Sequence, residues 1–167
     1  MKTFLISDTH FGHANILRFM RDDGTPLRGG FTDIHHHDEF LIQNWNNVVG
    51  VNDKVYHLGD VGFKNFAKVK ATMDRLNGTK VLIKGNHDNF KLSQYAQIFK
   101  DVRAYHVLDK FVLSHIPVHP YSVTRWKANI HGHLHDSVLP DKKYINVSVE
   151  QIGYTPIDFE LIRSKYS

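Results

Sequence analysis

Five times along this chain a short apolar run that reads as a strand stops at Asp, Asn or His. Residues 2–7 lead into Asp8-Thr9-His10, residues 54–58 into Gly59-Asp60, and residues 80–84 into Gly85-Asn86-His87-Asp88. Residues 110–115 close on His115, and residues 128–131 lead into Gly132-His133-Leu134-His135. In sheets with helices packed outside them, ligands gather beyond the carboxyl ends of the strands, where the loops converge. The five strand ends are therefore expected to aim at one pocket.

The segments between the runs set the fold class. Residues 33–49 carry Phe40, Leu41, Trp45, Val48 and Val49 at helical spacing, and Gly50 stops that helix. Residues 63–76 put Phe66, Val69, Met73 and Leu76 on one helix face, with Asn77-Gly78 as the stop. Shorter helices are expected over residues 11–21 and 92–99, and the turn-rich stretch 22–30 reads as an exposed loop. Beyond residue 99 strands dominate: 102–108, 110–115, 128–131 and 143–149, with Asp109-Lys110 as a hairpin turn. Residues 156–165 read as a closing helix with Pro in its first turn. Strand–helix alternation followed by a strand-rich half predicts an α/β chain with two sheets packed face to face and helices outside. No repeat or linker divides it, so residues 1–167 are expected to form a single domain.

Composition narrows the chemistry. There is no cysteine, which removes thiolate metal sites and cysteine nucleophiles, while 13 histidines supply imidazole. A metal site here must use imidazole, carboxylate, amide or water ligands, which suit Mn, Fe, Zn, Ni or Mg. In extended chain, residues i and i+2 face the same side, so Asp8 and His10 can reach one ion and His133 and His135 can project together. Gly59, Gly85 and Gly132 each precede a site residue and are read as the turns that point it back into the cleft. A net charge of +4 favours anionic substrates.

These five motifs, in this order, resemble those of the calcineurin-like metallophosphoesterases: Asp-x-His, Gly-Asp, Gly-Asn-His-Asp/Glu, a lone His after a strand, and Gly-His-x-His. The resemblance runs from residue 8 to residue 135. It is nearer to the small single-domain bacterial and phage members. The implied fold is a four-layer α-β-β-α double β-sandwich with helices on both outer faces. The implied first metal site is Asp8, His10 and His135; the second is Asn86, His115 and His133. Asp60 would bridge the two ions, having two oxygens and a charge that tempers their repulsion. His87 would be the catalytic histidine beside the substrate. One departure matters. Some branches continue Gly-Asp into an Asp-Arg pair, whereas here Val61-Gly62-Phe63 follows. The missing arginine and the short chain argue against a phosphoprotein substrate.

The expected activity is hydrolysis of phosphodiesters or small phosphomonoesters, cyclic or nucleotide-derived ones among them. The expected step is attack by a hydroxide that bridges two divalent ions, Mn²⁺ foremost, with Fe, Zn or Ni as alternatives. Asp88 is expected to orient His87 and to share its catalytic role. His13 and Arg125 are the candidates for contact with substrate phosphate. His35, His36 and His37 are read as a solvated helix start, and the loop 22–33 as the candidate specificity lid. His57 and His131 are read as strand residues or as support for the ligands, and His119 as pocket rim or plain surface. A nuclease acting on DNA or RNA is the alternative enzyme, and a non-catalytic protein-binding scaffold the alternative of another class. The scaffold sits poorly with a site in which His87 and every ligand are present. No secretory or membrane-spanning run is read, so a cytoplasmic location, no membrane partner, and a monomer or small homo-oligomer are expected.

Overall fold

In a computed structural model that describes residues 1–166, the first three apolar runs lie side by side as parallel strands. These are β1 (Thr3–Ile6), β2 (Lys54–His57) and β3 (Thr79–Ile83). Leu5 stands opposite Tyr56, and Tyr56 opposite Val81. Parallel neighbours need crossover connections. α1 (Ile34–Val48) and α2 (Phe66–Asp74) lie in those connections. Both helices start at side-chain caps: Asp33 accepts the His36 N–H and Asn65 accepts the Lys68 N–H. After the short α3 (Leu92–Tyr95), β4 (Asp101–Arg103) adds to β3 in parallel.

The second sheet comprises β5 (His106–Leu108), β6 (Phe111–Leu113), β7 (Ala128–His131) and β8 (Tyr144–Asn146), in that order. β5 and β6 form a hairpin, and β6, β7 and β8 run parallel. α4 (Pro120–Val123) lies between β6 and β7 in the chain. The chain then returns to the first sheet, where β9 (Ile157–Asp158) pairs antiparallel with β1 and leads into α5 (Phe159–Arg163).

Some expected elements shorten, 92–99 to Leu92–Tyr95 and 143–149 to Tyr144–Asn146, and three differ further. Residues 102–108 are not one strand: the chain breaks at the exposed Ala104 and Tyr105, so β4 joins the first sheet and β5 the second. The helix expected over 11–21 shrinks to a 3₁₀ turn at Ala14–Arg18. Gly12 at φ +73 and a non-helical His13 keep the chain out of the helical region before it. The closing helix starts late because Ile157 and Asp158 pair with β1 first, and the Asp158 side chain then caps the helix. The Asp109-Lys110 turn is as expected, with both residues left-handed, as a two-residue hairpin turn of type I′ requires.

Alternation along the first sheet buries both of its faces. Phe4, Ile6, Val55 and Leu82 pack with Leu41, Trp45, Val69 and Met73 of the helices. Leu5, Tyr56, Val81 and Ile83 pack with Phe111, Leu113, Ala128 and Ile130 of the second sheet. The two sheets also meet along the chain beyond β1. The Ser7 N–H donates to Val147 O, and the Val149 N–H donates to Ser7 O. This contact lays residues 147–150 beside the turn that carries Asp8 and His10. No described helix is long and apolar enough to cross a membrane.

Candidate metal centre

The turns that follow the strands hold their polar side chains in an unusual backbone state. Asp8 (φ 59), His10 (φ 51), Asp60 (φ 56), His133 (φ 68) and His135 (φ 49) are all left-handed. Each such residue costs about 1–2 kcal/mol relative to the right-handed region, and strain of this kind collects at functional sites. The glycines work differently from the sequence expectation. Only Gly59, at φ +97, uses the conformational freedom of glycine. Gly85 and Gly132 are needed for space. A Cβ on Gly132 would fall 2.0 Å from Ser7 Oγ and 2.3 Å from Asp8 Oδ2, and one on Gly85 would fall 2.3 Å from Asp60 Oδ1.

Asp8, His10 and His135 converge on one point, with donor atoms within 4.8 Å of one another. Asp8 Oδ1 lies 3.7 Å from His10 Nε2 and 3.8 Å from His135 Nε2. The other oxygen of Asp8 is spent on structure, accepting from the His133 N–H at 2.9 Å and the Ser148 hydroxyl at 3.0 Å. Asp8 Oδ1 and His10 Nε2 are fully buried and have no hydrogen-bond partner. Buried polar atoms are nearly always paired, so two orphans facing each other leave a place that could hold a cation.

The neighbouring group is Asn86, His115 and His133. Asn86 Oδ1 lies 2.8 Å from His115 Nε2 and 3.0 Å from His133 Nδ1. The Nδ1–H of His115 donates to Leu58 O at 2.7 Å, which leaves Nε2 of the neutral ring as an acceptor aimed at the Asn86 carbonyl. Two acceptors at that distance repel unless a cation or proton lies between them. Asp60 stands between the two groups. Its Oδ2 is 3.8 Å from His10 Nε2 and 3.4 Å from His115 Nε2, while its Oδ1 accepts the His87 N–H at 2.9 Å. One oxygen, rather than the expected two, faces both groups. Asp8, Asp60 and His115 also form a set whose donor atoms lie within 4.8 Å. The donor set of imidazoles, carboxylates and one amide oxygen fits divalent ions such as Mn, Fe, Zn or Ni.

His87 sits at the mouth, exposed, with its ring 6.3 Å from that of His10. Asp88 corrects the expectation made for it. It is buried and turned under the loop, accepting from the Asp60 and Gly85 N–H groups through Oδ2 and from the Val61 N–H through Oδ1. With both oxygens engaged by backbone, it braces the turn rather than the His87 ring. His13 joins the site: its Nδ1 is 3.1 Å from His10 Nδ1. Arg125 lies on the exposed stretch after α4 and makes no hydrogen bond or ring contact with the cluster among the described residues.

Several residues that shape the site carried no motif. Phe63 stacks on His13 at 4.0 Å and on His10 at 5.1 Å, and its ring lies 5.3 Å from that of His87. Arg28 and His37 are fully buried, so His37 is no solvated helix start, although His35 and His36 are exposed. Arg28 anchors the largely exposed loop 22–33 to the protein interior. Glu150 accepts from Arg28 and from His135. It follows the apolar run ending at Val149, a position that the rule behind the five motifs passes over because it takes Asp, Asn or His. Arg28, in a turn-rich stretch, gave no comparable signal. His57 supports the ligand turn from beneath: it accepts the Gly59 N–H at Nδ1, and its Nε2 meets Thr9 Oγ1 at 2.9 Å. His131 is buried on β7 and donates from Nδ1 to Gly132 O, and His119 caps α4.

Burial and charge divide the titrating groups. Burial alone would raise Asp8, but the imidazoles of His10, His115 and His135 outweigh it and hold its carboxyl far below the ordinary range. Asp60 is likewise lowered, against its burial, by His115. Burial pushes His10 and His133 down. His115 and His135 go up in spite of burial, through Asp60 and Glu150 respectively. Burial brings His13 down to about 4 and His57 to about 3.

Fold and site together define an α/β protein with two mixed sheets and a buried His/Asp cluster that could hold metal. The chain belongs to the family of the uncharacterized protein MJ1445 of Methanocaldococcus jannaschii. It is 40% identical to that protein over 170 residues, covering 96% of this chain and 89% of the relative. The gene 66 protein of Mycobacterium phage L5 is 33% identical over 92 residues, covering 52% of this chain and 39% of the phage protein. The crystal structure of AQ665 from Aquifex aeolicus, a protein of unknown function, superposes with a TM-score of 0.77 at 25% identity, covering 98% of each chain. No protein-family model matches the chain.

Proposed function

We propose that this chain is a metal-dependent phosphoesterase acting on phosphodiesters or small phosphomonoesters, cyclic or nucleotide-derived ones among them. The observation that carries the reading is the pair of ligand groups that share Asp60 Oδ2, with the exposed His87 ring beside them. The ordered resemblance of the five motifs to the calcineurin-like metallophosphoesterases supports the same reading. So does a first sheet buried by helices on one face and by the second sheet on the other, as a four-layer α-β-β-α sandwich requires.

Asp8, His10 and His135 would hold one divalent ion, and Asn86, His115 and His133 a second, with Asp60 between them. Such ions, when bound, polarise a phosphoryl oxygen and bring the pKa of water to about 7. The protein's own groups do the rest. Hydrogen bonds that the Asp8 and Asp60 carboxylates accept from backbone N–H groups and from the Ser148 hydroxyl fix which oxygen faces the cluster. The His87 ring, free of other hydrogen bonds among the described residues, is placed to meet the phosphoryl oxygens or to give a proton to the leaving oxygen as the P–O bond breaks. Phe63 packs against His10, His13 and His87 and limits how far those rings can turn.

The test is turnover by metal-stripped protein reconstituted with Mn²⁺, Ni²⁺ or Zn²⁺. The substrates are a chromogenic diester, monoesters, cyclic nucleotides, and DNA and RNA oligonucleotides. Cleavage of any small ester with one of these ions supports the reading; cleavage of oligonucleotides alone turns it to a nuclease. No turnover with any ion overturns it in favour of a scaffold. His87→Ala should leave metal content intact and lower turnover by about 10²–10⁴-fold. Full activity in that variant would remove His87 from the mechanism.

A further inference from the structure

The Asp8–His10–His135 group has a frame that no ligand motif contains. At its centre is the Arg28 guanidinium, fully buried in a loop that sequence alone makes an exposed one. Its Nε donates to Glu150 Oε1 at 2.8 Å. Its Nη2 donates to the carbonyl of Asp8, and its Nη1 to the carbonyl of Thr9 at 3.1 Å. Nη1 also lies 3.1 Å from His37 Nε2, and His37 Nδ1 lies 2.9 Å from Asp38 Oδ1. Arginine has donors only, so His37 accepts at Nε2 and carries its proton on Nδ1 toward Asp38.

Glu150 is the link to the site. Its side chain is 1% exposed, and Oε1 accepts from both Arg28 and His135 Nδ1, the latter at 2.9 Å. An ionised carboxylate only accepts, so the hydrogen on the neutral His135 ring has to sit on Nδ1, which leaves Nε2 with its lone pair. That Nε2 is the atom facing Asp8 Oδ1 at 3.8 Å. Arg28 thus holds the turn that carries Asp8 and His10, and through Glu150 it also holds His135.

We propose that Glu150, fixed by Arg28, is a positioning residue for the first metal site, locking His135 in the Nδ1–H tautomer with Nε2 aimed at the ion. The inference rests on the metal reading given above. Carboxylates that hold a ligating histidine in this way typically contribute 10–100-fold to metal affinity. A merely structural ion pair between Glu150 and Arg28 would change stability without separating the two metal sites, so the sites themselves are the readout.

The experiment is calorimetric titration of metal-stripped wild type and the Glu150→Gln variant with Mn²⁺, well below either melting transition. Glutamine has the same shape, but the oxygen that Arg28 holds toward Nδ1 is then a neutral acceptor, without the charge that strengthens the hold on the Nδ1–H tautomer. The expected result is two Mn²⁺ per wild-type chain. In the variant, one equivalent should weaken by about 10–100-fold and the other should stay within a few-fold. Two unchanged equivalents in the variant, or an equal loss at both, would overturn the inference while leaving the metal reading in place. A wild type that binds no Mn²⁺ overturns the metal reading and this inference with it. If the variant does not fold, ring ¹⁵N NMR of the Zn²⁺-loaded wild type decides. His135 should show a protonated Nδ1 and a metal-shifted Nε2; the reverse assignment sinks the proposal.

Discussion

Asp88→Asn separates two roles for a buried carboxylate that lies next in sequence to the exposed His87. In the structure Asp88 accepts from Asp60 N–H at 2.9 Å and Gly85 N–H at 2.7 Å through one oxygen, and from Val61 N–H at 3.0 Å through the other. An asparagine has a single carbonyl oxygen. In its better orientation it keeps the Asp60 and Gly85 bonds and turns its NH₂ toward the Val61 N–H, donor against donor. Leaving that N–H unsatisfied costs about 1–3 kcal/mol. The two remaining bonds lose their charge assistance, at about 1 kcal/mol each. Burial pushes the Asp88 carboxyl up in spite of its backbone donors, so removing the charge returns part of this. The net loss is about 2–4 kcal/mol, a large share of the 5–15 kcal/mol typical of a whole domain. Urea denaturation with a chelator present measures it without linkage to metal. With a slope of about 2 kcal/mol/M, the midpoint should fall by about 1–2 M at unchanged slope. An unchanged midpoint, with turnover reduced as far as in His87→Ala, would refute the bracing role and restore the one in which Asp88 orients His87.

Two further perturbations test the packing around the cluster. In Gly132→Ala the new Cβ meets Ser7 Oγ at 2.0 Å and Asp8 Oδ2 at 2.3 Å, so the ligand turn must shift. We expect about 1–3 kcal/mol of lost stability together with weaker Mn²⁺ uptake at the Asp8 group, and wild-type uptake by calorimetry would contradict the placement of Asp8. His57 is neutral in the fold, with its pKa lowered to about 3 by burial. The unfolded chain therefore binds the extra proton below pH 6.5, and the stability contributed by neutral His57 is lost as pH falls from there toward 3. Between pH 7 and pH 5 the loss amounts to about 2 kcal/mol. In metal-free protein, His57→Gln should flatten the stability–pH slope by that amount, and parallel slopes for wild type and variant would exclude it.

The parts of the fold that sequence makes legible are those where pattern and burial coincide. Residues 33–49 alternate at helical spacing, and Asp33 offers a cap, so the observed α1 departs by a residue at each end. The parallel strands β1 to β3 each carry consecutive apolar residues because helices cover one face and the second sheet the other. Periodicity does not show where a continuous strand-like run changes partners. Nothing in Val102 to Leu108 announces that the chain leaves one sheet at Ala104 and enters another at His106; only pairing with β3 and with β6 decides it. The same holds for Ile157 and Asp158, which become a strand because β1 presents a free edge there.

The site divides along a similar line, between atoms that would reach an ion in the proposed reading and atoms that hold those atoms still. The first kind has to be Asp, Asn or His beyond a strand end, and the turns have to be tight, so Asp8, His10, Asp60, Asn86, His115, His133 and His135 stand out before any coordinates exist. The second kind is constrained only by what lies next to it in space. Asp88 sits inside a motif yet spends both oxygens on backbone N–H groups. Arg28 sits in a loop of turn residues yet donates to the carbonyls of Asp8 and Thr9. Left-handed ligand residues explain why such holders are needed. With Asp8, His10, Asp60, His133 and His135 all at positive φ, the turns do not keep this shape by local preference. The hydrogen bonds that Arg28 and Ser148 donate to Asp8, and the one that Asp88 accepts from the Asp60 N–H, offset that strain at two of these turns. Losing one holder should therefore disturb the ligand geometry while every ligand side chain is still present.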